Sequence, residues 1–411
     1  MSTAMSDSTA QAASPAKGPL DGFVVLDLTR VLSGPYCTMM LADLGARVIK
    51  IEQPGRGDDT RAWGPPFAGS ESAYFLSINR NKESVTLNLK DERGRELVMR
   101  LLERADVLIE NFRPGAIARL GLDYDRLSAR WPRLVYCSIS GFGQAGPRRD
   151  EPGYDAVVQA EGGLMSITGA GDGPPFRLGV AVADIVTGMF AAQGITAALL
   201  ARERTGRGQF VDIAMLDSTV ALLTYQASSY FATGISPVRM GNRHPSIVPY
   251  ENFAASDGDF VLSVGNDAIW QSFCRVTSLD DLAHDPRFAT NAGRVEHYDD
   301  LKPILDERLR TRSRREWIAA LLAAGVPSGA VRNAGEVLGD PQLQHRGMIA
   351  RVEHATQGRI NVLGSPLKLS ATPSSVRDAP PTLGQHTEAV LSRDLGLSQQ
   401  EIEGFRAAGV I

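Results

Sequence analysis

Short apolar runs with strand character alternate with helical stretches through the first third of the chain. The strand-like runs lie at residues 23–29, 46–54, 84–89, 106–112 and 134–143. Helical patterns fill 33–45 and 91–105 between them. Parallel strands need a crossover connection, and such crossovers are right-handed, so this alternation strongly constrains the fold. It predicts an α/β fold built on a doubly wound, Rossmann-like sheet.

The carboxyl ends of these predicted strands form the edge at which doubly wound sheets bind ligands. The run at 106–112 ends in Asn111-Phe112-Arg113-Pro114-Gly115, which places polar groups at that edge. No Gly-x-Gly-x-x-Gly sequence follows the first strand, so a nicotinamide dinucleotide site is not predicted. Five basic residues near this edge can either bind a polyanionic ligand or remain solvated surface charges. They are Arg80, Lys82, Lys90, Arg113 and Arg119.

The length and composition indicate a globular protein with more than one domain. The chain has 411 residues, of which 43% are hydrophobic and 22% charged. We predict a disordered Ser/Ala-rich tail at 1–18, which lacks the apolar core of a signal peptide. A large domain is expected at 19–225, with a smaller inserted α+β domain at 226–330. The chain is then expected to return to the large domain at 331–411.

Charge and cysteine usage narrow the possible partners and the compartment. A net charge of −4 argues against a nucleic-acid partner, which needs a basic surface. Cys37, Cys137 and Cys274 are far apart and lack metal-ligand spacing, so free thiols in the cytoplasm are predicted, with no metal site. No stretch is expected to be long and apolar enough to span a membrane, and no membrane partner is expected.

Asp184 interrupts an apolar run and is the leading candidate for a catalytic group. It follows Leu178-Gly-Val-Ala-Val-Ala183 and directly precedes a long helical pattern. One interpretation is a helix N-cap, worth about 1 kcal/mol. The other is a partly desolvated nucleophile, with the unpaired N–H groups of its own helix stabilising an oxyanion. The two interpretations are compatible.

Other polar residues around this segment carry weaker signals. His244, in a turn-rich loop, is expected to bond to backbone in preference to acting as a base. Tyr154 can hydrogen-bond a substrate or pack under the loop. For Glu151 and Asp155, a surface position is as well supported as a role in the site. A Ser–His–Asp triad lacks support, because no Gly-x-Ser-x-Gly elbow occurs.

Several long motifs resemble those of the family III coenzyme A transferases, also called the CaiB/BaiF type. They include PLDGFVVLDLTRVLSGPYCTMMLADLGARVIKIEQPGRGDDTR, YFLSINRNKESVTLNLK, ENFRPGAIARLGLDYD, SISGFGQAGP and ADIVTGMFAAQGITAALLARERTGRGQFVDIAMLDS. The resemblance extends from Pro19 to the C-terminus. It implies CoA transfer between carboxylic acids, with Asp184 as the nucleophile that carries CoA as an aspartyl thioester.

The resemblance also implies which residues contact coenzyme A. They are Val31, Ser33, Leu87, Lys90, Asn111, Phe112, Arg119 and Tyr154. Lys90 and Arg119 keep the charge expected for the nucleotide end of CoA. Gln53 stands where many relatives have a basic residue.

The α-methylacyl-CoA racemases share most of these motifs, so 2-methylacyl-CoA racemisation is the alternative activity. Racemases carry a histidine where this chain has Tyr154. A tyrosine exchanges protons poorly at neutral pH, which favours transfer.

The resemblance finally implies an interlocked-ring homodimer, acyl-CoA and carboxylic acid substrates, and no permanently bound cofactor. Succinyl-CoA is the preferred donor, and a small dicarboxylic or hydroxydicarboxylic acid is the preferred acceptor. The glycine-rich flap of formyl-CoA:oxalate enzymes is missing at 241–253, which argues against oxalate.

Overall fold

The computed structural model describes residues 17–411, and these form two compact units. Of the predicted tail at 1–18, only the last two residues lie inside the described range. Within that range the first unit comprises residues 17–162 together with Val180–Leu222 and Pro341–Ile411, and the second comprises Gly163–Gly179 and Leu223–Asp340.

The second unit therefore extends beyond the small domain predicted at 226–330. The segment Gly163–Gly179, predicted within the large domain, belongs to the second unit because it hydrogen-bonds there. The Gly241 N–H donates to the Gly169 carbonyl at 2.9 Å, and Arg239 donates to the Gly173 carbonyl at 3.0 Å.

Residues 17–411 contain thirteen strands, and the five predicted ones are among them with their ends shifted by a few residues. They are β1 (Val24–Asp27), β2 (Arg47–Glu52), β3 (Phe67–Ala68), β4 (Glu71–Ser72), β5 (Lys82–Thr86), β6 (Val107–Glu110), β7 (Val135–Ser140), β8 (Phe210–Ala214), β9 (Tyr250–Ala255), β10 (Gly258–Ser263), β11 (Ser328–Ala330), β12 (Ile349–His354) and β13 (Gly358–Leu363).

The α-helices connect and cover these strands. They are α1 (Ser33–Asp43), α2 (Ala73–Ile78), α3 (Glu92–Leu102), α4 (Ala116–Arg119), α5 (Tyr124–Arg130), α6 (Asp155–Glu161), α7 (Leu164–Ile167), α8 (Val182–Thr205), α9 (Met215–Val220), α10 (Thr224–Thr233), α11 (Asp267–Thr277), α12 (Asp280–His284), α13 (Asn291–Glu296), α14 (Tyr298–Leu309), α15 (Arg314–Ala323), α16 (Ala334–Leu338), α17 (Pro341–His345), α18 (Thr387–Leu395) and α19 (Gln399–Ala407).

The predicted doubly wound sheet is confirmed in the first unit. Six parallel strands lie in the order β5-β2-β1-β6-β7-β8. The strand order reverses between β1 and β6, which is the switch point where such sheets bind ligands. The loops after these two strands therefore meet at the expected ligand edge.

The sheet is covered on both faces by apolar side chains. On one face Leu26, Leu108 and Tyr136 pack with helices α3, α5 and α18. On the other face Val25 and Ile109 pack against α1 and α8. Burial on both faces explains why the central strands β1 and β6 are nearly continuous apolar runs.

The second unit has its own core. An antiparallel sheet in the order β11-β10-β9 packs with helices α11, α14 and α15. Trp270, Phe273 and Trp317 are fully buried in that core.

The segment from Met215 to Thr233 is divided into α9, a 3₁₀ turn at Ala221–Leu223, and α10. Strand β9 pairs along its whole length with β10.

Helix α8 meets the length and composition criterion for a membrane-crossing helix, contrary to the prediction that no such stretch exists. More than half of its apolar window is buried inside the protein. Ala191, Ile195 and Leu199 on its inner face belong to the sheet core. This environment is that of a core helix, in which an apolar sequence is expected on packing grounds alone.

Candidate active site

A cavity of about 180 Å³ opens at the switch point of the sheet in the first unit. It contains Asp184 together with five of the predicted contact residues, and these are Val31, Ser33, Asn111, Phe112 and Tyr154. The sheet topology brings them together, because the loops after β1, β6 and β7 share one edge.

Asp184 is the third residue of α8 and does not cap it, which corrects the N-cap interpretation. The cap position is Ala181, which offers no side-chain acceptor. Asp155 supplies the acceptor, since its Oδ1 receives the N–H of Ala183 at 2.9 Å and that of Asp184 at 3.4 Å. Asp155, which sequence analysis treated as an equally probable surface group, therefore fixes the start of the helix.

The first-turn N–H groups of α8 are consequently occupied and are not oxyanion donors, contrary to expectation. The Ile185 N–H donates to the Ala181 carbonyl at 3.0 Å. The donors to the Asp184 carboxylate come from Ser33, through both its backbone N–H and its hydroxyl. Ser33 is the first residue of α1, so the carboxylate lies at the positive end of the α1 dipole.

The pKa of Asp184 is raised from the ordinary aspartate value to about 7. Burial is the largest cause, and the negative charge of Asp155 adds to it. The two hydrogen bonds from Ser33 act in the opposite direction by stabilising the ionised form. The site therefore holds a poorly solvated carboxylate, which is the property required of a nucleophile.

The loop that carries Val31 and Ser33 is held in a strained conformation. Val31 has φ +70°, a region that β-branched residues rarely occupy. Its N–H donates to Asp58 Oδ1 at 3.2 Å. Asn111 clamps the preceding residue, accepting from the Arg30 N–H at 2.9 Å and donating to the Arg30 carbonyl at 2.7 Å. Asn111 thus joins the loops on either side of the switch point.

A buried ion pair supports the same loop from below. Lys50, in β2, lies 2.9 Å from Asp58 Oδ2 and donates to the Thr29 carbonyl at 2.8 Å. Both side chains are fully buried. Although burial opposes it, the charge of Lys50 and hydrogen bonds from Thr60 lower the pKa of Asp58 to about 2.

Glu110 is a second buried carboxylate beside the cavity that sequence analysis missed. Its Oε2 accepts the Phe112 N–H at 2.7 Å, and its Oε1 accepts the Ser138 hydroxyl. Burial, with a smaller contribution from Asp212, raises its pKa to about 7. The sequence signal was available: a charged residue ends the apolar runs VVLD and VLIE, a position where burial demands a partner.

Two glycines bring Tyr154 to the cavity wall. A Cβ on Gly153 would lie 2.5 Å from the Cα of Gly141, so the two backbones pack directly against each other. This contact joins the loop after β7 to the start of α6, where Tyr154 is the cap residue. Tyr154 remains largely exposed.

A second cavity of about 380 Å³ lies next to the first, along the ends of β1, β2 and β5. Leu87 and Lys90 line it, as does Gln53, while Arg30 and Phe112 line both cavities. Arg119 lines neither cavity, although its neighbour Leu120 lines the second.

Arg80, Lys82 and His244 fall outside both cavities, whereas Arg113 and Glu151 line the first. Arg80 pairs with Asp43 at 2.6 Å, and Lys82 is buried 3.6 Å from Asp27, so both basic groups are structural. His244 accepts the Ser246 N–H at 3.1 Å, which confirms the expected bond to backbone. Among residues 17–411, no group of three His, Cys, Asp or Glu side chains is arranged to hold a metal ion.

Comparison with known proteins decides the family. Residues 20–387 match the family described as CoA-transferase family III. The chain belongs to this family. Coenzyme A transfer, with acyl-CoA thioesters as substrates, is therefore its enzymatic activity.

Named relatives and a solved structure agree with this placement. The succinyl-CoA:glutarate CoA-transferase of Mus musculus is 43% identical over 96% of this chain and 90% of its own length. The acetyl-CoA:oxalate CoA-transferase of Acetobacter aceti is 46% identical over 86% of this chain and 90% of its own length. A CAIB/BAIF family crystal structure from Brucella suis has a TM-score of 0.82 and 42% identity, covering 92% of this chain and all of that one.

Proposed function

We propose that this family III transferase moves CoA from succinyl-CoA to a small dicarboxylic acid, with Asp184 as the covalent carrier. The observation that carries the proposal is the desolvated Asp184 carboxylate at the N-terminus of α1, inside the switch-point cavity. The names of relatives that use succinyl-CoA with glutarate or mesaconate support the choice of donor and acceptor class.

The reaction proceeds by four acyl-transfer steps at one carboxylate. The ionised Asp184 attacks the donor thioester carbonyl, and CoA leaves as its thiolate, giving a mixed anhydride. The thiolate attacks the Asp184 carbonyl, which releases the donor acid and leaves an aspartyl-CoA thioester. The acceptor carboxylate displaces CoA to form a second anhydride. The thiolate then attacks the acceptor carbonyl and regenerates Asp184.

The Ser33 donors and the α1 dipole assist these steps. Each tetrahedral intermediate places negative charge on an oxygen beside the Asp184 carboxyl group. The Ser33 N–H and hydroxyl point at that group before reaction, so little reorganisation is needed when charge develops.

The second cavity is the proposed site for the nucleotide end of CoA. Lys90 there offers a point charge to phosphate, and Phe112 and Leu87 offer apolar contact. The thioester then passes Phe112 and Arg30, which line both cavities, to reach Asp184. Arg119 is kept as a proposed contact for the same end of CoA.

A homodimer and a cytoplasmic location complete the proposal. Met189, Phe190 and Leu200 on α8 are large apolar side chains exposed to solvent, and they line a groove of about 540 Å³. A second copy of the chain is the proposed cover for this face. The three cysteines are free and buried, which fits a reducing compartment. We also propose that the enzyme works without a permanently bound cofactor.

A panel of acceptor acids tests the substrate assignment. With succinyl-CoA as donor, we expect glutarate, mesaconate and related dicarboxylic acids to form CoA esters, detected by mass spectrometry. Oxalate belongs in the panel because of the Acetobacter aceti relative. Transfer to aryl acids alone would contradict the proposed substrate class. Deuterium incorporation at the α-carbon of a 2-methylacyl-CoA in D₂O, without any acceptor, would instead support racemisation.

The pH dependence of kcat/KM for succinyl-CoA gives a further prediction. Asp184 must be ionised to attack, and its pKa of about 7 exceeds the ordinary value. We therefore expect kcat/KM to fall about tenfold per pH unit below the pKa and to level off above it. A rate that stays constant down to pH 5 would contradict a raised pKa.

Replacement of Asp155 with Asn should shift the fall of kcat/KM at acid pH to lower pH values. The variant removes the negative charge that raises the pKa of Asp184, yet its amide oxygen can still accept the Ala183 N–H. Glu151→Gln is the matched control, since Glu151 lines the same cavity but is paired with Arg148 at 2.7 Å. The control should leave the pH dependence of kcat/KM unchanged. A shift of equal size in both variants would assign the effect to general cavity charge.

A further inference from the structure

Two of the charged groups that line the switch-point cavity, Asp184 and Arg113, have no ion-pair partner within residues 17–411. Of its three carboxylates, Asp59 pairs with Arg30 at 3.2 Å and with Arg56 at 2.7 Å. Glu151 pairs with Arg148 at 2.7 Å. The third is Asp184, which the proposed function uses as the nucleophile. The remaining lining cation is Arg113.

The backbone of Arg113 is fixed by its neighbours, whereas its side chain is exposed. Its neighbour Phe112 is held by Glu110 at 2.7 Å, and its own carbonyl accepts the Ala116 N–H at 2.9 Å. Pro114 restricts the backbone that follows it. Within residues 17–411, its guanidinium makes no ion pair and no hydrogen bond to protein.

We infer that Arg113 binds the distal carboxylate of dicarboxylic acyl groups while their thioester end reacts at Asp184. The inference rests on the proposed function and identifies the residue that selects the acyl group. A succinyl group carries a negative charge into a cavity of about 180 Å³ that already holds the Asp184 carboxylate. A guanidinium compensates that charge and can form two parallel hydrogen bonds to a carboxylate.

A CoA phosphate is the competing ligand for Arg113. The acyl carboxylate is the favoured ligand, because the second cavity has a cation of its own for the phosphates, Lys90. Arg113 lines only the cavity that contains the nucleophile. A phosphate contact would affect every CoA ester equally, whereas a carboxylate contact affects only charged acyl groups.

The test compares succinyl-CoA with butyryl-CoA, which has the same chain length without the charge. In Arg113→Gln, kcat/KM for succinyl-CoA should fall by about 10- to 100-fold, while that for butyryl-CoA changes by less than about threefold. Arg113→Lys should recover part of the succinyl-CoA activity. Arg104→Gln is the matched control: Arg104 is also exposed, and it precedes β6 at the opposite edge of the sheet. It should leave both values unchanged.

Formation of the aspartyl-CoA thioester without acceptor provides the second readout for both donors. Equal losses for both esters in Arg113→Gln would overturn the inference in favour of a phosphate contact. No loss for either ester would exclude Arg113 from substrate binding. If the parent enzyme forms no adduct at Asp184 from either donor, the proposed function itself fails, and this outcome is distinguishable from the other two.

Discussion

Replacing Asp184 with alanine should lower kcat for CoA transfer by about 10⁴-fold or more, because every proposed step forms or breaks a bond to this carboxylate. Steady-state rates with succinyl-CoA and a dicarboxylic acid measure the effect. Asp125→Ala is the control, since Asp125 is an exposed aspartate in α5 that lines neither cavity. Asp184→Asn is less informative, because hydrolysis of the amide can restore the acid.

The loss of activity should not arise from unfolding. The pKa of Asp184 is about 7 in the folded protein, above its value in an unfolded chain. The free energy of unfolding therefore falls as pH rises from the unfolded-state pKa through the folded-state pKa. Removing the carboxylate relieves that penalty above the unfolded-state pKa. We therefore expect the Tm of Asp184→Ala at pH 8 to equal or exceed that of the parent. Near-normal turnover by this variant would remove Asp184 from the mechanism.

Replacing Lys50 with methionine should lower the free energy of unfolding by about 3–5 kcal/mol, the usual cost of breaking a buried ion pair. The change leaves the buried Asp58 carboxylate without its cation and the Thr29 carbonyl without its donor. It also loosens the support of Val31, so KM for the CoA ester should rise. Equilibrium urea denaturation measures the stability change.

Lys90→Met is the matched control for this prediction. Lys90 lines the same cavity but is exposed, and its replacement should change stability by less than about 0.5 kcal/mol. Replacing Lys50 and Asp58 together by apolar residues should recover part of the lost stability, because no unpaired charge remains. Equal stability of the parent and Lys50→Met would show that the pair does not organise this edge of the sheet.

The sheet could be predicted because its information is local. The central strands β1 and β6 are short apolar runs, and the βαβ alternation with the handedness rule leaves few topologies. Asp184 was identifiable for a similar reason, since a carboxylate inside an apolar run requires a partner. The family motifs predicted contact residues in the loops after β1 and β6, and these loops line the cavity.

The partners of Asp184 could not be predicted because they come from distant parts of the chain. Its donor, Ser33, begins α1, and its helix is capped by Asp155 from the start of α6. No local pattern links these segments. Nor did the sequence separate Arg80 and Lys82, which are buried in ion pairs, from Arg113, which lines the cavity. That distinction depends on tertiary contacts, which charge alone does not encode.

Chemical trapping during turnover tests the covalent role of Asp184 most directly. Enzyme incubated with succinyl-CoA and then treated with borohydride should contain homoserine at residue 184, because reduction of an aspartyl thioester or anhydride gives the alcohol. Hydroxylamine should give the hydroxamate at the same residue. Peptide mass spectrometry locates each product, and enzyme without succinyl-CoA is the control. Modification confined to Asp184 and dependent on succinyl-CoA is the predicted result; an unmodified Asp184 in enzyme that is turning over would contradict the account.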